Sequence, residues 1–181
     1  MSRIASLSAD QTPADSRPLL DAVNRQLGMV PNLMKVVGHS PAALEGYLSL
    51  SGALAKGSLG AGLQERIALA VAEVNQCDYC LAAHTYLGSN VAKLSDAEIQ
   101  AARDGDAADP KVAAAVGFAQ LVASSRGRVS DAELASLRAA GFGDAETVEI
   151  VVNVALNVLT NYINNVARTD IDFPQVSRRA A

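Results

Sequence analysis

Six consecutive apolar residues, Ile67 to Ala72, sit inside a stretch from Leu63 to about Val74 that has the composition of a helix. A helix that is apolar all round has no face to give to water, so other elements must cover it on most sides. The composition supplies those elements. Half of the residues are hydrophobic, only 4% are aromatic, Trp is absent, and alanine, leucine and valine carry the apolar content. Small aliphatic side chains of this kind favour helices packed closely on one another. At 181 residues the chain makes one domain with room for a real core. No segment alternates apolar and polar residues with period two, so the expected fold class is all-α.

Start and stop signals divide the chain. Residues 1–15 are polar and read as a flexible N-terminus, the helical domain spans 16–174, and 175–181 reads as a frayed tail. A first helix is expected over about Arg17 to Leu27, stopped by Gly28. Pro31 opens a short helical piece carrying Leu33, Met34, Val36 and Val37. Ser40-Pro41 is a start, a capping hydroxyl followed by a proline whose missing N–H costs nothing in the first turn. That helix stops near Gly57. The apolar helix breaks at Asn75, which caps another running from about Gln76 to Leu87 and ending at Gly88. Ser95-Asp96-Ala97-Glu98 and Ser130-Asp131-Ala132-Glu133 are both capping boxes. Each opens a short helix followed by a longer apolar one, about Pro110 to Ser125 and about Ala145 to Ala167. A duplicated hairpin and two separate uses of one good start signal explain this repetition equally well.

The formal net charge is -4, and no cluster of Lys and Arg stands out. Neither a nucleic-acid surface nor an anionic membrane surface is expected. The N-terminus lacks the apolar run of a signal peptide. No stretch reaches the roughly 18 uninterrupted apolar residues of a membrane span; the most apolar late segment, Ile150 to Ala167, is broken by Asn153, Asn157, Asn161, Asn164 and Asn165. The chain reads as cytoplasmic. In a reducing compartment two cysteines at close spacing point to catalysis or metal binding rather than to a structural staple.

Both cysteines and one of the two histidines fall within eight residues. On the helix expected from Gln76, Cys77, Cys80 and His84 follow the spacing i, i+3, i+7 and share one face. Cα atoms three apart on a helix lie about 5 to 6 Å from each other, a separation a disulfide accepts. The free N–H groups and dipole of the first turn favour a thiolate, and His84, one turn after Cys80, can take its proton. Glu65 lies on the preceding helix in the row Glu65, Leu69, Ala72. Half-burial there would raise its pKa and suit it to proton transfer. If the chain folds back at Asn75, Glu65 approaches His84.

The pattern of Glu65, eleven residues, Cys77-x-x-Cys80, three residues and His84 resembles the AhpD-like alkylhydroperoxidases of the carboxymuconolactone decarboxylase family. The run Leu137-Arg138-Ala139-Ala140-Gly141-Phe142 and the Asn-rich last helix resemble the peroxidase-related branch of that family. The resemblance extends from about Pro31 to Pro174. It implies an AhpD-like all-α fold and homo-oligomers, commonly trimers or hexamers. It also implies a peroxidase in antioxidant defence that needs neither cofactor nor metal. Cys80 would attack the hydroperoxide and become a sulfenic acid, Cys77 would resolve it to a disulfide, and an external thiol or dithiol donor would restore the pair. Glu65 and His84 would relay protons. One departure is Tyr79, which stands where the best-studied members have a second histidine; a phenol does not take protons near neutral pH. Members that decarboxylate a lactone lack the cysteine pair.

Other readings stay open at this stage. The cysteines are alternatively inert small hydrophobes, or zinc ligands together with His84 and Glu65. The protein is alternatively a general dithiol–disulfide oxidoreductase, or a non-catalytic helical oligomer that binds a metal or a partner. His39 reads as a surface or capping residue, Tyr79 as a pocket wall or core residue, and Glu73 as solvated or ion-paired. Asn153, Asn157, Asn161 and Asn165 make a polar stripe on the last helix. Asparagines in place of long charged side chains suit buried hydrogen-bonded contacts, so a subunit interface or the rim of the pocket is expected there.

Overall fold

The computed structural model describes residues 2–177 and 179. A 3-10 turn, Ala14–Ser16, leads into α1 (Arg17–Leu27), α2 (Asn32–Val37), α3 (Pro41–Leu54), α4 (Gly60–Val74) and α5 (Asp78–Asn90). These are followed by α6 (Asp96–Arg103), α7 (Pro110–Ser125), α8 (Asp131–Ala139) and α9 (Asp144–Ala167). There is no strand among the described residues. The apolar helix is α4, and Ile67 to Ala72 are all buried in it. It is covered by α5, α6, α7 and α9, as a helix without a polar face requires.

Most boundaries follow the local chemistry. Gly28 ends α1 in the left-handed region at φ 74°, where a residue without Cβ is favoured. Ser40 Oγ accepts from the Ala43 N–H at the start of α3. The Ser95–Glu98 and Ser130–Glu133 boxes both close in each direction. The exception is the turn between α4 and α5. Asn75 ends α4 rather than capping α5, Gln76 turns the chain at φ 52°, and Cys77 is the N-cap of α5. Gly88 does not stop α5, which runs on to Asn90. It lies inside the helix against Leu94 and Ile99.

Two main apolar clusters flank α4. One joins α7, α8 and α9 through Phe118, Leu137, Phe142 and Ile150. The other gathers α1, α2 and the start of α5, and it includes Cys77, Tyr79 and Cys80. The thiol segment is therefore built into a core. The chain ends are tied to the same body. The Arg3 and Ile4 N–H groups donate to the Ala167 carbonyl at the end of α9. Asn32 bonds the Asp172 carboxylate and the Asp170 carbonyl. Of the tail expected to fray, residues 178, 180 and 181 lie outside the described residues. Ser177 accepts from Arg103, and Arg179 donates from its N–H to Glu73. Glu73 itself pairs with the buried Arg103 at 2.8 Å.

α9 is inverted relative to an ordinary surface helix. Asn153, Asn157, Asn161 and Asn164 are buried, while Val148, Val151, Leu159, Tyr162 and Val166 are exposed. Its amides are satisfied in part along the helix: Asn153 donates to the Glu149 carbonyl and Asn157 to that of Asn153. The buried asparagines thus turn into the interior of the chain. Its fourth buried member is Asn164 rather than the expected Asn165, which is exposed. By length and hydropathy α9 is also the one helix among the described residues that could cross a membrane.

Candidate functional site

The reversal at Asn75 and Gln76 lays α5 back along α4 and fixes the thiols. The Cys77 N–H reaches the Ala72 carbonyl at 3.0 Å. Cys77 itself is extended, at φ -95° and ψ 96°, and its Sγ accepts the Cys80 N–H at 3.3 Å. Three residues on one helical face were expected. Instead Cys77 stands before the helix as its cap, Cys80 sits in the first turn, and His84 follows one turn on. The cysteines remain close, with Cα atoms 5.3 Å apart, and are joined as a disulfide. Both are sealed from solvent, at 0% and 2% exposure.

The antiparallel packing of α4 and α5 brings Glu65 to His84, with Oε2 2.9 Å from Nδ1. Their side chains are 20% and 22% exposed, so this pair reaches solvent while the sulfurs do not. A carboxylate on Nδ1 favours the tautomer that carries its proton there and leaves Nε2 as the ring's acceptor.

Tyr79 takes no part in that pair. Its hydroxyl donates to the Asp172 carboxylate at 2.8 Å and accepts the Leu33 N–H at 3.1 Å. Its ring meets Phe173 edge-on. Burial pushes the phenol above its ordinary range; the hydrogen bond to Asp172 and the charge of that carboxylate push the same way. Tyr79 is a core pin between α5, α2 and the C-terminal segment. Tyr47, not singled out from sequence, has its phenol raised by burial first, and by the Glu65 charge as well. His39 bonds the Ala5 carbonyl at 2.9 Å and belongs to the surface.

The residue that sequence reading missed is Asn164. Its Nδ2 donates to Cys80 Sγ at 3.3 Å. It lines a cleft of about 390 Å³ between the end of α9 and the start of α5. A period of four from Asn153 selects Asn165, which instead donates to the Asn75 carbonyl at 2.9 Å and lines the same cleft. The signal in the sequence was the doublet Asn164-Asn165, which a strict stripe splits. Among the described residues no group of three or more His, Cys, Asp or Glu is arranged to hold a metal ion.

The sequence profile of the carboxymuconolactone decarboxylase family matches residues 41–125, a segment containing Glu65, Cys77, Cys80 and His84. No curated protein matches the chain in sequence. Solved structures do match it in fold. An uncharacterised peroxidase-related protein from Ralstonia eutropha JMP134, described as an alkylhydroperoxidase AhpD core, superimposes with a TM-score of 0.84 at 26% identity, covering 94% of this chain and 92% of that one. A peroxidase-related protein from Silicibacter sp. TM1040 gives 0.80 at 22% identity, with 92% and 91% covered. The debrominase Bmp8, solved with 2,3,4-tribromopyrrole, gives 0.78 at 18% identity over 93% and 91% of the two chains. At the last two identities the likeness is one of fold alone.

Proposed function

We propose that this chain, whose residues 41–125 belong to the carboxymuconolactone decarboxylase family, is an AhpD-like thiol-dependent hydroperoxidase. The observation that carries the reading is the joined Cys77–Cys80 pair at the start of α5, one turn before a histidine that a carboxylate holds at 2.9 Å. In the reduced protein Cys80 attacks as thiolate on the terminal oxygen of a hydroperoxide. The S–O bond forms, the O–O bond breaks, and the alkoxide leaves as an alcohol with a proton from His84. Cys77 then attacks the sulfenic sulfur, and hydroxide departs with a proton as water. Two electrons from the dithiol have reduced one O–O bond. An external thiol or dithiol donor reopens the disulfide. Glu65 orients His84 through the 2.9 Å contact at Nδ1.

Burial of both sulfurs disfavours the rival reading as a general dithiol–disulfide oxidoreductase. A protein disulfide is bulky and has to meet an exposed sulfur, whereas a hydroperoxide, and a small thiol donor after it, needs only a narrow path. A cytoplasmic setting would keep the pair open between turnovers. The resemblance also implies a trimer or hexamer, and the outward apolar face of α9 supports a partner of the same chain.

The test is single-turnover consumption of an organic hydroperoxide by reduced protein. One equivalent should be consumed, with loss of both free thiols. Cys80→Ser should abolish the burst, and Glu65→Gln should slow it by about 10²-fold or more, the range of lost acid–base assistance. A Cys80→Ser protein that consumes peroxide as fast as the parent overturns the reading.

A further inference from the structure

We infer that Asn164 is a catalytic residue, the group that holds Cys80 as a thiolate, and that the cleft it lines is where a compact, polar hydroperoxide enters. This rests on the reading of Cys80 as the attacking sulfur.

The geometry distinguishes the two sulfurs. Cys77 is fully buried and, as N-cap, receives the Cys80 backbone N–H at 3.3 Å. Cys80 receives a side-chain amide instead, from Asn164 Nδ2 at 3.3 Å. To a disulfide sulfur such a bond is weak. To a thiolate it is charge-assisted and favours the anion. Asn164 is only 3% exposed, so its amide is held in place before the disulfide opens. The dipole of α5 adds positive potential at its first turn, where Cys80 sits.

A second observation points to a ligand. Native proteins rarely leave buried polar atoms unpaired. Here Asn164 Oδ1 and Thr169 Oγ1 have no hydrogen-bond partner among the described residues, although Thr169 is only 7% exposed. Both residues line the cleft of about 390 Å³ between the end of α9 and the start of α5, together with Gln76, Asn165 and Arg168. Amide, hydroxyl, carboxylate and guanidinium groups share its wall with Tyr79 and Ile171, and its volume suits a small hydroperoxide better than a long lipid chain. Asn164 Oδ1 belongs to the amide that touches Cys80 Sγ. A hydroperoxide whose O–H satisfies that oxygen therefore has its O–O bond within a few ångströms of the sulfur, given a hydrogen bond of about 2.8 Å.

The experiment uses full-length reduced protein in a Cys77→Ser background, so that Cys80 is the only thiol. The pH dependence of alkylation by iodoacetamide reports when Cys80 becomes a thiolate. Hydrogen peroxide, tert-butyl hydroperoxide and a long-chain fatty-acid hydroperoxide are the probes for the burst, which is followed on the same samples. Asn164→Ala should move the alkylation midpoint up by about one pH unit and slow the burst about tenfold. Asn164→Asp keeps the shape and places a carboxylate against the sulfur, so it should move the midpoint further up. The small probes should react faster than the fatty-acid hydroperoxide. If folded Asn164→Ala and Asn164→Asp proteins keep the parental midpoint and burst rate, the role of Asn164 is overturned. Preference for the fatty-acid probe overturns the assignment of the cleft. Absence of any burst in the unsubstituted protein is a different failure, that of the hydroperoxidase reading itself.

Discussion

Tyr79 lies between the two cysteines in sequence, yet its hydroxyl is spent on Asp172 and the Leu33 N–H. That placement sets a pH dependence whose sign can be worked out. The folded protein holds Tyr79 neutral because burial raises its pKa, while in the unfolded chain tyrosine ionises near pH 10. The contribution to stability is therefore complete below about pH 10 and is lost as pH rises towards the folded value, at about 1.4 kcal/mol per pH unit for one group. Tyr47, also raised by burial, acts with the same sign. Urea unfolding at pH 8 and pH 11 should show a fall in stability that the Tyr79→Phe protein shows less steeply. At pH 8 the same substitution should cost about 1–3 kcal/mol, because the Leu33 N–H loses its acceptor. An equal pH dependence in both proteins would refute the burial argument. At this scale the closeness of Cys77 to Cys80 and of Glu65 to His84 was legible from spacing, because two antiparallel helices joined by a short turn leave few ways to place them. Asn164 was not. Its contact with Cys80 spans 84 positions and depends on how α9 is rotated, which a single helix's pattern does not fix.

Helix existence was legible wherever a cap or an apolar run marked it, as in the two closed capping boxes of α6 and α8. Helix ends next to the site were less so. Gly88 reads as a stop because glycine commonly follows a last turn, but α5 continues through it to Asn90. Its role is close packing: a Cβ at that position would lie 3.5 Å from Leu94 Cδ1 and 3.7 Å from Ile99. Those are ordinary contacts, and the backbone there is not in the left-handed region. Gly88→Ala should therefore stabilise the protein by about 0.5–1 kcal/mol, the propensity gained in a helix interior. Thermal unfolding measures it. A lowered melting temperature would mean that α5 ends where the sequence pattern places its stop. The turn at Cys77 was misread for a similar reason. Asn75 has the chemistry of a cap, but Cys77 Sγ takes that place, and cysteine is not among the residues a capping rule looks for.

The outer face of α9 matters for the whole molecule. Val148, Val152, Ala155, Leu159, Tyr162 and Val166 follow one another at alternating steps of four and three, the spacing at which one helix packs along another. All but the partly exposed Val152 are exposed, and no charged residue occurs from Ile150 to Ala167. Eighteen residues of such a face run about 27 Å at 1.5 Å per residue, longer than the scattered apolar side chains of a monomer's surface. In the proposed homo-oligomer a second copy of the chain covers this face, because the stripe is uniform and carries no charge to select a different partner. Leu159→Glu combined with Tyr162→Glu should then lower the molar mass measured by light scattering, with helicity retained. Asn161→Leu should leave the mass unchanged, because Asn161 is fully buried within the chain, where its Oδ1 accepts from Asn75. That second variant separates the outward stripe from the inward one. A mass shift with Asn161→Leu alone would return the asparagines to the interface. An unchanged mass with the double glutamate variant would leave the apolar face to another occupant, and co-sedimentation of the parent protein with lipid vesicles would identify a membrane as that occupant.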